Sequence, residues 1–303
     1  MTEANDFAGL NGFVWWIGIV EDRKDPLKLG RCKVRIFGWH SDKLEEAPVD
    51  SLPWAQAMMP LNNANTYTPK ESDMVVGFFL DGKNGQEPVM MGVLPGIPLR
   101  PSNNQQGFND IRKSAELNSA PVKPTESKTG YPRILDEPTT SRIARNDSES
   151  IGNTFIQRKK DDVITGISGV NSSWSEPTTQ YSTVYPYNNV IETESGHIME
   201  FDDTPEKERI HIAHRDGSFQ EWFPDGDKVE KIVKDNYEIV VGNDRLYVKG
   251  KCQITVDGDA EVYVKSDAYM KVDGKFDAQI GSTCRIESGG TMTFVAPKID
   301  LNP

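Results

Sequence analysis

From Leu246 to Ala296 the chain alternates without a fault. Every even-numbered residue is apolar, Gly or Ser, running from Leu246, Val248, Gly250, Cys252, Ile254 and Val256 to Met292, Phe294 and Ala296. Charge falls only on odd numbers, among them Lys249, Lys251, Asp257, Asp259, Glu261, Lys265, Asp273, Arg285 and Glu287. A period of two is the mark of β-structure with one buried face. Ordinary strands stop after about five or six residues, so a phase held this long needs a further device.

A second period supplies it. Gly or Ser recurs every eight residues at Gly250, Gly258, Ser266, Gly274, Ser282 and Gly290, each preceded two residues earlier by Val248, Val256, Val264, Val272, Ile280 and Ser288. The spacing predicts a strand that turns a corner every octad without exchanging its faces. Glycine fits there because a corner demands unusual backbone angles and because an inward Cβ would collide with neighbouring walls. One chain on this path leaves its strand edges open, whereas three chains wound together pair them all. The pattern therefore predicts an intertwined trimeric β-helix, a triangular prism. At about 4.8 Å per octad the six octads make a shaft of roughly 30 Å. A sandwich of hairpins would need turn clusters that reset the phase, and residues 246–296 contain none.

Upstream, apolar stretches at 13–20, 31–39, 52–60, 74–80 and 88–94 are separated by turn signals such as Asp25-Pro26 with Gly30. Five short strands predict a small barrel of OB type over residues 1–97. Residues 98–186 carry eight prolines, from Pro98 to Pro186, with many Asn, Ser and Thr and no periodicity, which predicts an extended linker. Residues 187–245 resume β-pattern around Ile191–Phe201 and Ile210–Phe223 and form a β-rich connector. Around Tyr237–Val241 the apolar residues sit on odd numbers, so a phase break is expected near Gly242–Arg245 before the prism of residues 246–303. The fold class is all-β throughout.

Composition changes this picture little but narrows the partners. A hydrophobic share of 36% across 303 residues is low for one large core and suits an elongated chain. The net charge of −12 argues against a nucleic-acid partner, because phosphate binding needs a basic surface. The acidic start, Met1 to Asp6, lacks the apolar core of a secretion signal, and no run reaches the length of a membrane helix. Cys252 and Cys284 fall on the inward phase and are expected as reduced core residues.

Two further segments carry a resemblance. Val14-Trp15-Trp16-Ile17-Gly18-Ile19-Val20-Glu21-Asp22-Arg23-Lys24-Asp25-Pro26-Leu27-Lys28-Leu29-Gly30-Arg31 resembles the opening of the central spike proteins of T-even-like contractile phage tails. So does Tyr185-Pro186-Tyr187 followed by Glu192-Thr193-Glu194-Ser195-Gly196-His197-Ile198-Met199-Glu200-Phe201-Asp202-Asp203-Thr204-Pro205, a segment shared more loosely with the VgrG spikes of type VI secretion. The octads are the third point of similarity. The resemblance implies a virion protein of the tail baseplate, assembled in the host cytoplasm. It further implies a homotrimer whose barrels dock on a ring-shaped hub and whose prism pierces the host outer membrane during sheath contraction.

Within that resemblance Trp15, Trp16, Pro26, Leu27 and Arg31 are the candidate hub-binding residues. Some relatives end in a His-x-His that holds iron, and no histidine occurs in this C-terminus. The end of the prism instead presents Phe294, Val295, Ile299 and Leu301, the candidate seat of a separate PAAR-like tip protein. T-even relatives insert a lysozyme domain where this chain has its linker. Glu116, Glu126, Asp136 and Glu149 lie there without the amphipathic helices that would raise one carboxyl and hold a second beside it, so no catalytic residue and no enzyme activity is expected. His211 and His214 are spaced for a helix but lie in a predicted strand, and the cysteines lack ligand companions, so neither a metal nor a cofactor is expected. The competing readings are a VgrG-like or tailocin spike, a tail-associated polysaccharide-degrading trimer, and an OB-fold single-strand binder, the last disfavoured by the surplus of acid.

Overall fold

The computed structural model describes residues 12–61, 68–96, 140–141, 143–145, 163–167, 172–193 and 197–300. It divides into two compact units, Met1–Gln253 and Ile254–Pro303. Among the described residues all regular structure is β, apart from three-residue 3-10 turns.

Five strands make the first body: β1 (Trp15–Asp22), β2 (Cys32–Ile36), β3 (Trp54–Ala57), β4 (Met74–Phe79) and β5 (Pro88–Leu94). They close in the order β1-β2-β3-β5-β4, with β3 and β5 parallel and the remaining pairs antiparallel. This is the five-stranded Greek-key barrel expected of an OB domain. Alternate residues point inward, so Trp16, Val20, Val34, Ile36, Ala55, Val75, Phe79 and Met90 fill the centre with Cys32. Burial pushes the Cys32 thiol up to about 12, which keeps it a neutral packing group.

Closure requires two close approaches. A Cβ on Gly77 would lie 2.1 Å from the Val89 carbonyl and 2.4 Å from the Trp16 ring, and one on Gly18 would lie 2.6 Å from the Arg35 carbonyl. Strand β2 is buried on both faces. Its outward Arg35 donates to the Ala47 carbonyl at 2.8 Å and its outward Lys33 to the Asp50 carbonyl at 2.9 Å, so the following loop is tied across the strand.

The second sheet, in the same unit, is an antiparallel meander of β6 (Asn188–Glu192), β7 (Ile198–Asp202), β8 (Arg209–Ala213), β9 (Phe219–Trp222) and β10 (Lys228–Lys231). One face is covered by irregular chain. Ile143 and Tyr181 pack with Val190, Ile198, Ala213 and Phe219, so part of the stretch expected as linker completes this core. Residues 98–139, 142, 146–162 and 168–171 of that stretch, which include Glu116, Glu126, Asp136 and Glu149, lie outside the described residues.

Beyond β10 the chain behaves differently. Every residue from 232 to 300 is exposed, and none of them lies in a helix, strand or hydrogen-bonded turn. The backbone nevertheless bends at 233–234, 241–242, 249–250, 257–258, 265–266, 273–274, 281–282 and 289–290, and again at Pro297. The eight-residue period seen in the side chains is thus a period of the backbone too.

Two expectations need correction. No break appears at Gly242–Arg245: Gly242 sits at a bend in step with Gly250, and the period starts earlier, at 233. Nor do the corners need left-handed backbone, since none of Gly242, Gly250, Gly258, Gly274 and Gly290 has a positive φ. A Cβ added to any of these five meets nothing within 4 Å of its own chain.

Candidate interaction sites

The candidate barrel residues occupy two places. Trp15 opens β1, whereas Pro26 and Leu27 follow its far end; the eight residues of the strand, at roughly 3.3 Å each, separate them. Trp15 is 63% exposed and Trp16 4%, as strand alternation requires, so Trp16 supports the barrel from inside and offers no contact surface. Phe13, Phe37, Trp39 and Leu80 are exposed as well, Phe13 against the Phe78 ring and Trp39 against the Phe79 ring. The Phe37 amide donates to the Ile17 carbonyl and the Phe79 amide to the Val14 carbonyl, which brings the ends of β2 and β4 to the start of β1.

At the other end, the loop from Arg23 to Arg31 is organised by one buried carboxylate that sequence reasoning passed over. Asp25 accepts the amides of Leu27 at 3.0 Å and Leu29 at 2.8 Å, and the Arg31 guanidinium at 2.6 Å. The Arg31 guanidinium and these amides hold the Asp25 carboxyl well below the ordinary carboxylate range, and Asp25 in turn raises Arg31. Arg31 also lies over the Trp54 ring at 5.6 Å. Its charge is therefore engaged inside the loop, and what the loop displays is Pro26, Leu27 and Leu29 together with Lys24 and Lys28. The sequence signal for this was Asp25-Pro26 ahead of Gly30, since Asp side chains commonly cap the amides that follow them.

The meander buries charge. On the covered face Arg209 and Glu200 are each 0% exposed and lie 2.7 Å apart, with Glu221 3.3 Å from the same guanidinium. Asn188 donates to Glu200 at 2.6 Å, Thr179 donates to Glu221 at 2.7 Å, and His211 stands 3.4 Å from Glu221. The Tyr181 ring covers the Arg209 guanidinium at 5.1 Å, and burial pushes its hydroxyl up to about 12. Burial raises Glu200 above its ordinary value. Glu221 feels the same push, but His211, Thr179 and Arg209 together outweigh it and lower it. Burying charge is tolerable only with this degree of pairing. The strand pattern placed these residues on one face, but nothing in it distinguished a buried charged face from a wet one.

The two segments that carried the second resemblance meet at the edge of this sheet. The Asp202 carboxylate accepts the Thr204 amide at 3.0 Å and the Thr204 hydroxyl at 2.6 Å, and it also accepts the Thr183 hydroxyl. The Val184 amide donates to Thr204 Oγ1 at 3.0 Å, and the Asp203 amide to the Tyr187 carbonyl at 3.1 Å. Asp202-Asp203-Thr204-Pro205 is therefore a clamp on the chain around the cis Tyr185-Pro186 bond, not a reactive site.

His211 is buried in that network, while His214 is exposed on the turn after β8, its ring 4.5 Å from that of His197. Partial burial, with His214 and Arg215 nearby, lowers His197. Among the described residues no group of three or more His, Cys, Asp or Glu is placed to hold a metal ion. Cys252 and Cys284, like Phe294, Val295 and Ile299, are exposed on the single chain. Leu301 lies outside the described residues.

Comparison with known proteins agrees with this architecture. Residues 38–176 match the family described as Gp5 N-terminal OB domain. The chain is 40% identical over 291 residues to Protein Gp5 of Vibrio phage KVP40, an alignment covering 84% of this chain and 66% of that protein. It is 36% identical over 101 residues to the pre-baseplate central spike protein Gp5 of Enterobacteria phage T4, covering 33% of this chain. The chain thus spans just under two thirds of the first relative and 18% of the second. By these matches the chain is similar to the T4-like baseplate central spike proteins.

Proposed function

We propose that this chain is the structural central spike of a contractile phage tail, carried in the virion as part of the baseplate. Three copies wind their C-terminal octads into a triangular prism, dock through the N-terminal barrels on a ring-shaped hub, and are driven through the host outer membrane by sheath contraction. The observation that carries this reading is the run from 233 to 297, bent every eight residues and exposed throughout on one chain. Its exposure is graded in step with the repeat: Val240, Val248, Val256, Val264, Val272 and Ile280 lie between 44% and 55%, and Leu246, Ile254, Val262 and Met270 between 80% and 89%. So much apolar surface on an ordered backbone calls for other chains.

The role is mechanical. A prism whose strands pair across three chains has no edge from which to unravel. The charged residues, confined to the outer phase, keep it from adhering to itself. The exposed ends of the barrel, Trp15 with its neighbours and the loop of Pro26, Leu27 and Leu29, support hub docking, and Phe294, Val295, Ile299 and Leu301 a PAAR-like tip. We assign no lysozyme chemistry to this chain. Light scattering of the purified chain tests the reading: three times 33.9 kDa is expected, in a form that resists SDS at room temperature. A monomer would overturn it.

A further inference from the structure

The eight-residue period orders the charges as well as the corners. One octad position reads Lys249, Asp257, Lys265 and Asp273, with the sign alternating at every step. At two others Lys251 precedes Asp259, Asp267 precedes Lys275 and Asp277 precedes Arg285, each by eight residues. Between 233 and 300 seven pairs of charged residues lie eight apart, and six of them join opposite signs. The exception is Asp259 with Asp267.

Threefold symmetry gives that spacing a meaning. Three copies about one axis carry the same octad at the same height on three faces. Each chain turns one corner per octad, so the strand laid upon one copy's octad is the following octad of a neighbour. A residue of one copy then lies beneath the residue eight places later in another, displaced along the axis by about 4.8 Å. We propose that the outer charges pair between copies in this way and fix the register in which the three chains wind. The inference rests on the trimeric reading above.

The inward residues leave that register open. Val and Gly or Ser return in nearly every octad, so they fit as well after a slip of eight residues. A copy displaced by one octad turns two of the eight-residue offsets into offsets of zero and sixteen. At zero every charge lies over its own kind. At sixteen Lys249 lies over Lys265, Asp257 over Asp273 and Glu261 over Asp277, so three of eight charged pairings are alike. Like charges placed directly opposite destabilise a sheet, and unlike charges support it. Within one chain Lys271 lies 2.9 Å from Asp273, Lys275 2.7 Å from Asp277, and Arg285 pairs with Glu287. Those pairs run along the strand and are the same in any register. All six side chains remain more than half exposed, which leaves room for a second partner.

Asp277 and Arg285 suit a test, because their remaining neighbours at eight residues, Tyr269 and Thr293, carry no charge. In the full chain Asp277→Arg and Arg285→Asp are made singly and together, and the temperature at which the SDS-resistant trimer dissociates is read at low salt. Each single reversal should lower it by about 3 °C or more. The double reversal restores opposite signs between copies while it breaks the in-chain pairs of both residues. Its return to near the wild-type temperature, by a margin that shrinks in about 1 M salt, supports the proposal. So does a monomeric single variant beside a trimeric double. A double variant no more stable than the singles overturns the proposal, and so do single reversals without effect.

Register is read directly in a chain carrying Thr283→Cys and Thr291→Cys, treated with the short cross-linker ethanediyl bismethanethiosulfonate and mapped peptide by peptide. Links from position 283 of one copy to position 291 of another are expected. A trimer linked between two positions 283, or not linked, overturns the proposal and leaves the trimeric spike standing. A monomeric wild type overturns both.

Discussion

The barrel and the repeat are both built on strict alternation, yet one closes on itself and the other does not. In the barrel the inward residues of five strands meet one another, and closure is tight enough that Gly77 has no room for a Cβ. In the repeat the inward residues stay exposed on the single chain, and Gly258 has open space around it. The same two-residue pattern thus specifies which face is to be buried without saying by whom. The meander lies between these cases: its charged face is satisfied within the chain, and its apolar face is left bare.

The comparison is most easily broken in the parts that close on themselves. Arg209→Ala leaves Glu200 and Glu221 buried without their cation and should cost the meander about 3–5 kcal/mol in chemical denaturation. A loss below about 1 kcal/mol would mean that the network is wet. Trp16→Ala should cost the barrel about 3–5 kcal/mol, and Trp15→Ala no more than about 0.5 kcal/mol. Equal losses would show that the exposed ring is already covered in the free protein.

The glycines sharpen the contrast further. Gly77→Ala should destabilise the barrel by about 1–3 kcal/mol through overpacking. A Cβ at Gly258 meets nothing in its own chain, so any fall that Gly258→Ala causes in the temperature at which an SDS-resistant oligomer dissociates must come from other copies. An unchanged temperature would remove the reason for glycine at that corner.

The smallest effect is expected at Asp25. Its folded carboxyl lies below the ordinary value of 3.8, so it stabilises the fold above that pH, and the contribution is lost as pH falls through the lower folded value. A melting series from about pH 5 down to pH 2 should show this loss in the wild-type barrel and a flatter profile in Asp25→Asn. Parallel profiles would mean that the Asp25 loop is loose in solution.

Much of the barrel was legible beforehand. Apolar stretches at 74–80 and 88–94 became β4 and β5 nearly residue for residue, because alternation and turn residues act locally. β10 was missed because Lys228-Val229-Glu230-Lys231 offers a single apolar residue. Of the five hub candidates, Leu27 and Trp15 are exposed, Trp16 is core, and Arg31 is engaged by Asp25. Which of two adjacent tryptophans faces inward depends on register, and register is settled by the partner strand.

The sequence by itself determined the all-β class, the five barrel strands, the eight-residue period and the side of the repeat that carries charge. These follow from local sterics and from the two-residue reversal of side chains, which neighbouring residues dictate among themselves. Tertiary structure alone decided that β3 runs parallel to β5 and that Asp25 gathers a loop around itself. It also decided that Thr179, Tyr181 and Thr183 reach across some 20 to 40 residues to quiet Glu221, Arg209 and Asp202. A charge in a strand reads the same whether it faces water or a salt bridge, and only the groups brought from elsewhere in the chain settle which.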